Sequence, residues 1–285
     1  MISPICTPFD QDGEIQFDAV RRNIAAYNRA GLLGYVVAGS TGEAVFLSKE
    51  EKRSLFAAVR EAAGGKVLIA GTGAESVRET LSQIRDAAGV GYDAALVITP
   101  HYYRGQMARP ETQIAFFRAV ADVSPLPIVI YDFPQMTGID LTVDMVATLA
   151  AHPNIVGIKE SSADLDKIGA LIQGLPATFA VVVGPSAKFH QCLRLGATGG
   201  VIAFANAAPE RTQSIYEKYR AGDIEGSCVA QQQIVEAAGV APKYGIQGLK
   251  YAMDLKGFYG GPTRLPLLPL VDGQKAEIEA LFRDI

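Results

Sequence analysis

The stretch IVGIKESSAD, residues 155–164, joins the pattern of a buried strand to the start of a helix. Its first four residues are apolar and rich in β-branched side chains, which is typical of a strand in a parallel sheet covered on both faces. Lys159 ends this strand, and Asp164 is placed to cap the apolar run with helical spacing that follows. A buried strand followed directly by a helix is the repeating unit of α/β proteins.

The same unit recurs from one end of the chain to the other. We predict eight strands that alternate with amphipathic helices, at residues 2–9, 35–39, 66–71, 93–100, 126–134, 154–159, 178–184 and 199–206. About eight βα units of this length describe a (β/α)8 TIM barrel of the α/β class. A doubly wound open sheet is the alternative, and it is disfavoured because no G-x-G-x-x-G follows the first strand.

The chain after residue 206 shows helical patterns only, at residues 210–220, 223–238 and 244–256 and from residue 274 onward. We therefore expect residues 1–206 to form the barrel and residues 207–285 to form a C-terminal helical extension. No low-complexity linker separates the two parts, so we expect the extension to pack on the barrel within a single structural unit.

The composition argues against several classes of function. The 26 basic and 30 acidic residues give a net charge of -4, which offers no electrostatic footprint for nucleic acid or an anionic membrane. Gly, Pro or charged residues interrupt the longest apolar runs, so we expect no membrane span. We expect a cytoplasmic protein, because no secretory signal is visible and three scattered cysteines fit reduced thiols. The histidines show no metal-ligand spacing.

The residues at the strand ends carry the chemistry, because active sites of TIM barrels lie at the C-terminal ends of the strands. Lys159 ends the sixth strand, and Tyr131 lies near the end of the fifth. A buried lysine whose pKa is lowered is a nucleophile that forms a Schiff base with a carbonyl. Taken alone, Lys159 is more simply interpreted as a strand-end lysine that extends to solvent, and Tyr131 as a core tyrosine.

Two further strand ends add polar groups. Ser40 and Thr41 lie between two glycines in GSTGE (residues 39–43), a turn that can present hydroxyls and backbone N–H groups to a carboxylate. The segment PHYYRG, residues 100–105, is an aromatic and polar cluster, of the kind that also occurs at subunit interfaces. An amine, a phenol and an anion-binding turn together suit a small 2-oxo acid. The amine attacks the ketone, the turn holds the carboxylate, and the iminium stabilises an enamine at the adjacent carbon.

Four motifs, GSTGE, YDFPQMTG, IVGIKESS and GGVIAFAN, resemble those of the dihydrodipicolinate synthase / N-acetylneuraminate lyase family in order and spacing. The resemblance covers essentially the whole chain. It implies a class I lyase that forms a Schiff base with pyruvate and needs no cofactor. Family members are commonly tetramers built as dimers of dimers, so it also implies a homotetramer.

The resemblance implies a role for several residues. Lys159 forms the Schiff base, Tyr131 relays protons, and Tyr102 crosses to a neighbouring subunit to feed that relay. The pyruvate carboxylate is held, and the pyruvate pocket lined, by Ser40, Thr41, Gly184 and Ile202.

Met136 departs from the pattern of dihydrodipicolinate synthases, which carry at this position an arginine that binds the carboxylate of the aldehyde substrate. A thioether cannot replace a bidentate guanidinium, so aspartate semialdehyde is disfavoured unless another cation such as Arg104 reaches in. Ser161 fits a member that binds a hydroxylated substrate. The leading hypothesis is an aldolase that cleaves or forms a 4-hydroxy-2-oxo acid, of the 4-hydroxy-2-oxoglutarate or 2-keto-3-deoxy sugar acid type, with pyruvate and an aldehyde as partners.

Other functions stay open from the sequence. Within the family they are dihydrodipicolinate synthase activity, which condenses pyruvate with aspartate semialdehyde, and dehydration of a keto-deoxy sugar acid. Outside it they are a non-catalytic sensor of a 2-oxo acid and a phosphate-binding barrel, for which the loops after strands seven and eight are a weak match.

Overall fold

The computed structural model describes all residues, 1–285. Eight strands form one sheet in sequence order, and the strand pairs are parallel. The strands are β1 (Ile2–Pro4), β2 (Gly34–Val37), β3 (Val67–Gly71), β4 (Ala94–Ile98), β5 (Ile128–Asp132), β6 (Ile155–Glu160), β7 (Ala180–Val183) and β8 (Gly199–Gly200). Alternation of these strands with helices confirms the predicted (β/α)8 barrel.

The helices fill the segments between the strands and continue beyond the last one. They are α1 (Phe17–Arg29), α2 (Lys49–Ala62), α3 (Val77–Gly89), α4 (Arg104–Met107), α5 (Pro110–Ala121), α6 (Pro134–Thr137), α7 (Val143–Ala150), α8 (Leu165–Gly174), α9 (Phe189–Leu195), α10 (Pro209–Arg220), α11 (Ile224–Ile234), α12 (Val240–Leu255) and α13 (Asp272–Leu281). The helix α8 begins at the predicted cap, since the Asp164 side chain accepts hydrogen bonds from the N–H groups of Asp166 and Lys167. No helix has the length and apolar character needed to cross a membrane.

The first and last strands are shorter than predicted, because a side chain replaces part of the strand pairing. The backbone N–H of Cys6 donates to Oδ1 of Asn206 at 3.0 Å, and Nδ2 of Asn206 donates to the carbonyl of Pro4 at 2.8 Å. Residues 203–206 form a 3-10 turn instead of continuing β8. Each apolar run therefore ends in irregular backbone, and the Asn206 amide makes part of its hydrogen bonds.

The chain divides into two compact units by internal contacts. One consists of residues 1–67, 186–190 and 202–285, and the other of residues 68–185 and 191–201. In the first unit, the backbone N–H of Ile202 donates to the carbonyl of Ile2 at 3.1 Å, and the rings of Phe204 and Phe282 lie 5.8 Å apart. The division at residue 206 between barrel and extension stays a prediction.

Candidate active site

Lys159 and Tyr131 face each other on neighbouring strands. They are register partners in the β5–β6 pair, and Nζ of Lys159 lies 4.0 Å from the centre of the Tyr131 ring. Lys159 is 5% exposed and Tyr131 is 4% exposed. An ammonium over the face of a tyrosine ring is stabilised by the ring's quadrupole, a weaker compensation than a carboxylate would give. The structure thus brings together the amine and the phenol that the sequence singled out.

Close packing positions both members of this pair. A β-carbon at Gly157 would lie 2.6 Å from the carbonyl oxygen of Ala180, so only glycine allows β6 to approach β7 at this point. The ring of Tyr131 stacks on Phe133 with the ring centres 5.8 Å apart. The strand that carries Lys159 is therefore packed closely against β7. The ring of Tyr131 is supported on one face by Phe133.

Ser161 and Gly184 form the next layer after β6 and β7. The Ser161 hydroxyl is buried and has no hydrogen-bond partner in the protein. A β-carbon at Gly184 would collide with that hydroxyl, so the glycine leaves the room that Ser161 occupies. Buried hydroxyls without a partner are rare, and one that lies two residues after Lys159 is a ready donor or acceptor for a bound substrate or water.

Met136 and Arg104 line one cavity of about 350 Å³. Met136 lies in α6 with its side chain 66% exposed, while the guanidinium of Arg104 lies so close to Gly138 that a β-carbon there would collide with it. The other lining residues are His101, Tyr102, Pro134, Gln135, Thr137 and Gly138. The sequence identified Arg104 as a cation that could compensate for Met136, and the structure places both side chains in one cavity.

The loop before α4 is organised by Glu75. Its Oε2 accepts hydrogen bonds at 2.9 Å from the backbone N–H groups of both His101 and Tyr102, and its Oε1 lies 3.1 Å from Nδ1 of His101. Tyr102 is 77% exposed, and its ring meets the Tyr103 ring edge to face with the ring centres 5.3 Å apart. The backbone of this loop is held in place while Tyr102 itself stays exposed. Glu75 was not among the predicted site residues, since nothing in the sequence links it to a loop 26 residues away.

Ser40 and Thr41 begin a 3-10 turn, Ser40–Gly42, directly after β2. The N–H groups of Gly42 and Ala44 both bond back to the carbonyl of Gly39, so they are used within the turn and cannot face an anion as the sequence pattern suggested. Of the predicted anion-binding groups, the two hydroxyls and the first N–H groups of the turn are left for a ligand. Ile202, predicted to line the pyruvate pocket, is fully buried.

A cluster of charged side chains begins one position beyond the Lys159–Tyr131 pair on the same two strands, and the sequence did not predict it. Nζ of Lys167 lies 2.6 Å from Oδ2 of Asp132, 2.9 Å from Oε2 of Glu160, and also against Asp140. Burial and the charge of Glu160 raise the pKa of Asp132 to about 7, although Lys167 opposes the rise. A lysine in the first turn of a helix was the available signal, because a cation there is disfavoured by the helix dipole.

No group of three or more His, Cys, Asp or Glu side chains is arranged to hold a metal ion. The side chains described here supply an amine nucleophile, a phenol, hydroxyls and a guanidinium. Those are the groups that imine chemistry on a carboxylate-bearing carbonyl compound requires.

Comparison with known proteins agrees with this chemistry. The dihydrodipicolinate synthetase family matches residues 1–285. The 4-hydroxy-tetrahydrodipicolinate synthase of Xanthomonas campestris is 38% identical over 275 residues, which cover 95% of this chain and 89% of that protein. A "probable 4-hydroxy-2-oxoglutarate aldolase, mitochondrial" of Emericella nidulans is 34% identical over 99% of this chain and 93% of its own length.

A solved structure shares the whole architecture. The chloride-inhibited dihydrodipicolinate synthase of Acinetobacter baumannii, in complex with pyruvate, superimposes with a TM-score of 0.94 and 30% identity. The match covers 99% of this chain and 97% of that one. A family match over every residue, with a buried lysine and tyrosine in register, shows that the chain belongs to the dihydrodipicolinate synthetase family and is a carbon–carbon lyase of the Schiff-base aldolase type.

Proposed function

We propose that the protein forms a Schiff base between Lys159 and pyruvate and condenses it with aspartate 4-semialdehyde. The observation that carries the Schiff base is the Lys159 ammonium, buried and faced by the Tyr131 ring at 4.0 Å. A buried lysine nitrogen held against a phenol is placed to attack a carbonyl carbon and form an imine.

The steps follow from this pair. The nitrogen of Lys159 attacks C2 of pyruvate, and water leaves to give an iminium. Loss of a proton from C3 gives an enamine, whose carbon attacks the aldehyde carbon and forms the new carbon–carbon bond, while the aldehyde oxygen takes up a proton. The substrate's own amino group, or water, then adds to the product iminium, and the bond to Lys159 breaks to free the amine. Tyr131 is the register partner of Lys159 on the neighbouring strand. We assign to its phenol the proton transfers to and from these intermediates.

The carboxylate of pyruvate requires hydroxyl or N–H donors. We assign this role to the hydroxyls of Ser40 and Thr41, the first two residues of the short turn that follows β2. Gly184 and Ile202 are assigned to the pocket lining: Gly184 leaves room for the Ser161 hydroxyl, and Ile202 adds an apolar surface.

Aspartate 4-semialdehyde carries a second carboxylate, which needs a cation. Arg104 supplies one in the cavity that Met136 also lines, so the absence of an arginine at position 136 does not leave this cavity uncharged. The relatives named 4-hydroxy-tetrahydrodipicolinate synthase support this substrate.

A second candidate is the cleavage of 4-hydroxy-2-oxoglutarate to pyruvate and glyoxylate. Met136 favours it, because a bidentate arginine contact is missing at that position. The relative from Emericella nidulans, named a probable 4-hydroxy-2-oxoglutarate aldolase, also supports it. The unpartnered Ser161 hydroxyl could bind the 4-hydroxyl group of such a substrate.

The test has two stages. The protein is incubated with pyruvate, reduced with borohydride and mapped by peptide mass; a single adduct on Lys159 is expected, and its absence in folded protein would overturn the proposal. Turnover is then measured with pyruvate plus aspartate 4-semialdehyde and, separately, with 4-hydroxy-2-oxoglutarate. Turnover of the latter alone would select the second candidate, and an adduct without turnover of either would point to a sensor or to another aldehyde.

The assembly and location of the protein stay predictions. We propose a homotetramer, because a tyrosine with 77% of its surface exposed, Tyr102, is the residue expected to reach a neighbouring subunit. Sedimentation analysis would give the oligomeric state, and fractionation of cells would test the expected cytoplasmic location.

A further inference from the structure

Three carboxylates meet around one ammonium at the ends of β5 and β6. Lys167 Nζ contacts Asp132, Glu160 and Asp140 together. The Asp132 and Glu160 side chains are fully buried, whereas Asp140 is 65% exposed. Asp132 also accepts a hydrogen bond from the N–H of Leu141 at 3.2 Å. The enclosed part of this cluster therefore contains two carboxylates and one lysine.

The two buried carboxylates are the residues directly after the reactive pair. Asp132 and Glu160 are register partners, one position beyond the partners Tyr131 and Lys159. Because side chains alternate along a strand, the carboxylates point to the opposite face of the sheet from the phenol and the amine. Lys167 thus joins β5 and β6 on the face behind the site.

The ammonium is needed there for an electrostatic reason. Two ionised carboxylates on neighbouring strands repel each other, and in a buried place the repulsion is weakly screened. Lys167 lies in the first turn of α8, where the helix dipole disfavours a cation. Its attraction to the two carboxylates therefore outweighs the unfavourable interaction with the helix dipole. This attraction draws the ends of β5 and β6 together.

We propose that Lys167 is a positioning residue for the reaction: by drawing Asp132 and Glu160 together, it sets the separation of the Tyr131 phenol and the Lys159 amine. The proposal rests on the proposed Schiff-base function. Small errors in such a separation are costly, since a displacement of about 1 Å can lower a rate about 100-fold.

A purely structural role is the alternative. In that case the cluster only compensates buried charge, and its loss lowers stability without changing the turnover of the protein that remains folded. The two roles differ in kcat and in its pH dependence.

The first variants are Lys167→Met and Lys167→Arg. Lys243→Met is the control, since it removes a lysine from an exposed ion pair of 2.7 Å with Glu277. We expect Lys167→Met to lower kcat at least ten-fold while saturating pyruvate still labels Lys159 on reduction with borohydride. We expect Lys167→Arg to recover most of the loss, because it keeps the positive charge, and the control to match the wild type.

Asp132→Asn gives a second measurement that does not depend on the folding of Lys167→Met. Its amide keeps an oxygen for Leu141 and Lys167, and its nitrogen takes the place of Oδ1, which has no partner. The variant resembles the protonated aspartic acid. We expect the ratio of wild-type kcat to variant kcat to be near one at pH 5 and to rise several-fold through about pH 7.

The outcomes separate the proposals. A ratio that does not change with pH, or a folded Lys167→Met protein with wild-type kcat, would overturn the positioning role. If Lys167→Met does not fold, the Asp132→Asn ratio decides. Failure of the wild type itself to form a pyruvate adduct on Lys159 would instead overturn the proposed function.

Discussion

Lys250 and Glu43 form an ion pair of 2.6 Å from which solvent is almost wholly excluded. Nζ of Lys250 also donates to the carbonyl of Pro262 at 2.8 Å and lies 4.4 Å from the centre of the Phe9 ring. Glu43 has a left-handed backbone, with φ of 57°, and accepts a hydrogen bond from the N–H of Arg264. The residue that ends the GSTGE motif is thus fixed by a buried charge pair.

Breaking this pair should destabilise the protein strongly. Lys250→Met leaves Glu43 as an uncompensated buried charge, and such losses typically cost about 3–5 kcal/mol. Unfolding in urea would measure the change, with Lys243→Met as an exposed-pair control that should behave as the wild type. An equal change in the free energy of unfolding in the two variants would show that the buried pair contributes no more to stability than the exposed pair.

Replacing the reactive lysine should abolish turnover and make the fold more stable. Lys159→Met removes a buried ammonium that no carboxylate pairs with and leaves an apolar chain of similar length. We expect no pyruvate adduct and a higher melting temperature. A lower melting temperature would mean that the ammonium contributes favourably to folding.

Gly184 and Ser161 should show coupled effects. Gly184→Ala places a β-carbon against the Ser161 hydroxyl, so we expect kcat/KM to fall by an order of magnitude or more. Ser161→Ala in the same chain removes that hydroxyl and should recover part of the loss. A double-mutant cycle on kcat/KM and on stability measures the coupling, and additive effects would contradict the predicted collision.

Arg104 should discriminate between aldehydes by charge. Arg104→Met is expected to lower kcat/KM about 10- to 100-fold for an aldehyde that carries a carboxylate, in line with the strength of a hydrogen bond to a charged group. An uncharged aldehyde of similar size should be affected much less. In the Met136→Arg protein, the preference for the carboxylate should increase. Equal losses for the two aldehydes in Arg104→Met would assign the arginine a structural role.

Asp132 should make stability depend on pH. Its pKa is raised from 3.8 to about 7 in the folded protein, so between these values the native state holds a proton that the unfolded chain releases. The contribution of this group is therefore full below about pH 4 and is lost as the pH rises through about 7. The free energy of unfolding of the wild type, minus that of Asp132→Asn, should fall over this range. A constant difference would contradict the raised pKa.

The sequence predicted the elements of the fold that follow from local pattern. Strand and helix alternation gave the barrel, and the predicted cap of α8 at Asp164 is confirmed. The predicted C-terminal ends of the first and last strands were wrong. Part of the backbone hydrogen bonding there is replaced by bonds to the side chain of Asn206, some 200 residues from Cys6. A contact of that sequence separation leaves no periodic signal in either segment.

The sequence was enough to predict the reactive residues of the candidate site, but not the buried ion pairs around them. Lys159 and Tyr131 were found because each stands at the end of a buried apolar run, and parallel strands bring such ends together. Lys167 and Lys250 were missed because both lie in helices whose patterns read as ordinary amphipathic surfaces. The fold shows that their ammonium groups turn inward to buried carboxylates, and the position of Lys167 in the first turn of α8 was the one hint in the sequence.

Arg104 and Met136 lie in helices of four residues each, α4 and α6, which take no part in the strand ladder. The amine and the phenol lie in strands whose neighbours constrain them on both sides. Substitutions in the short helices can thus accumulate without disturbing the strands that carry the chemistry. Under the proposed assignments, a substitution in α4 or α6 changes the choice of aldehyde and leaves the imine-forming lysine in place.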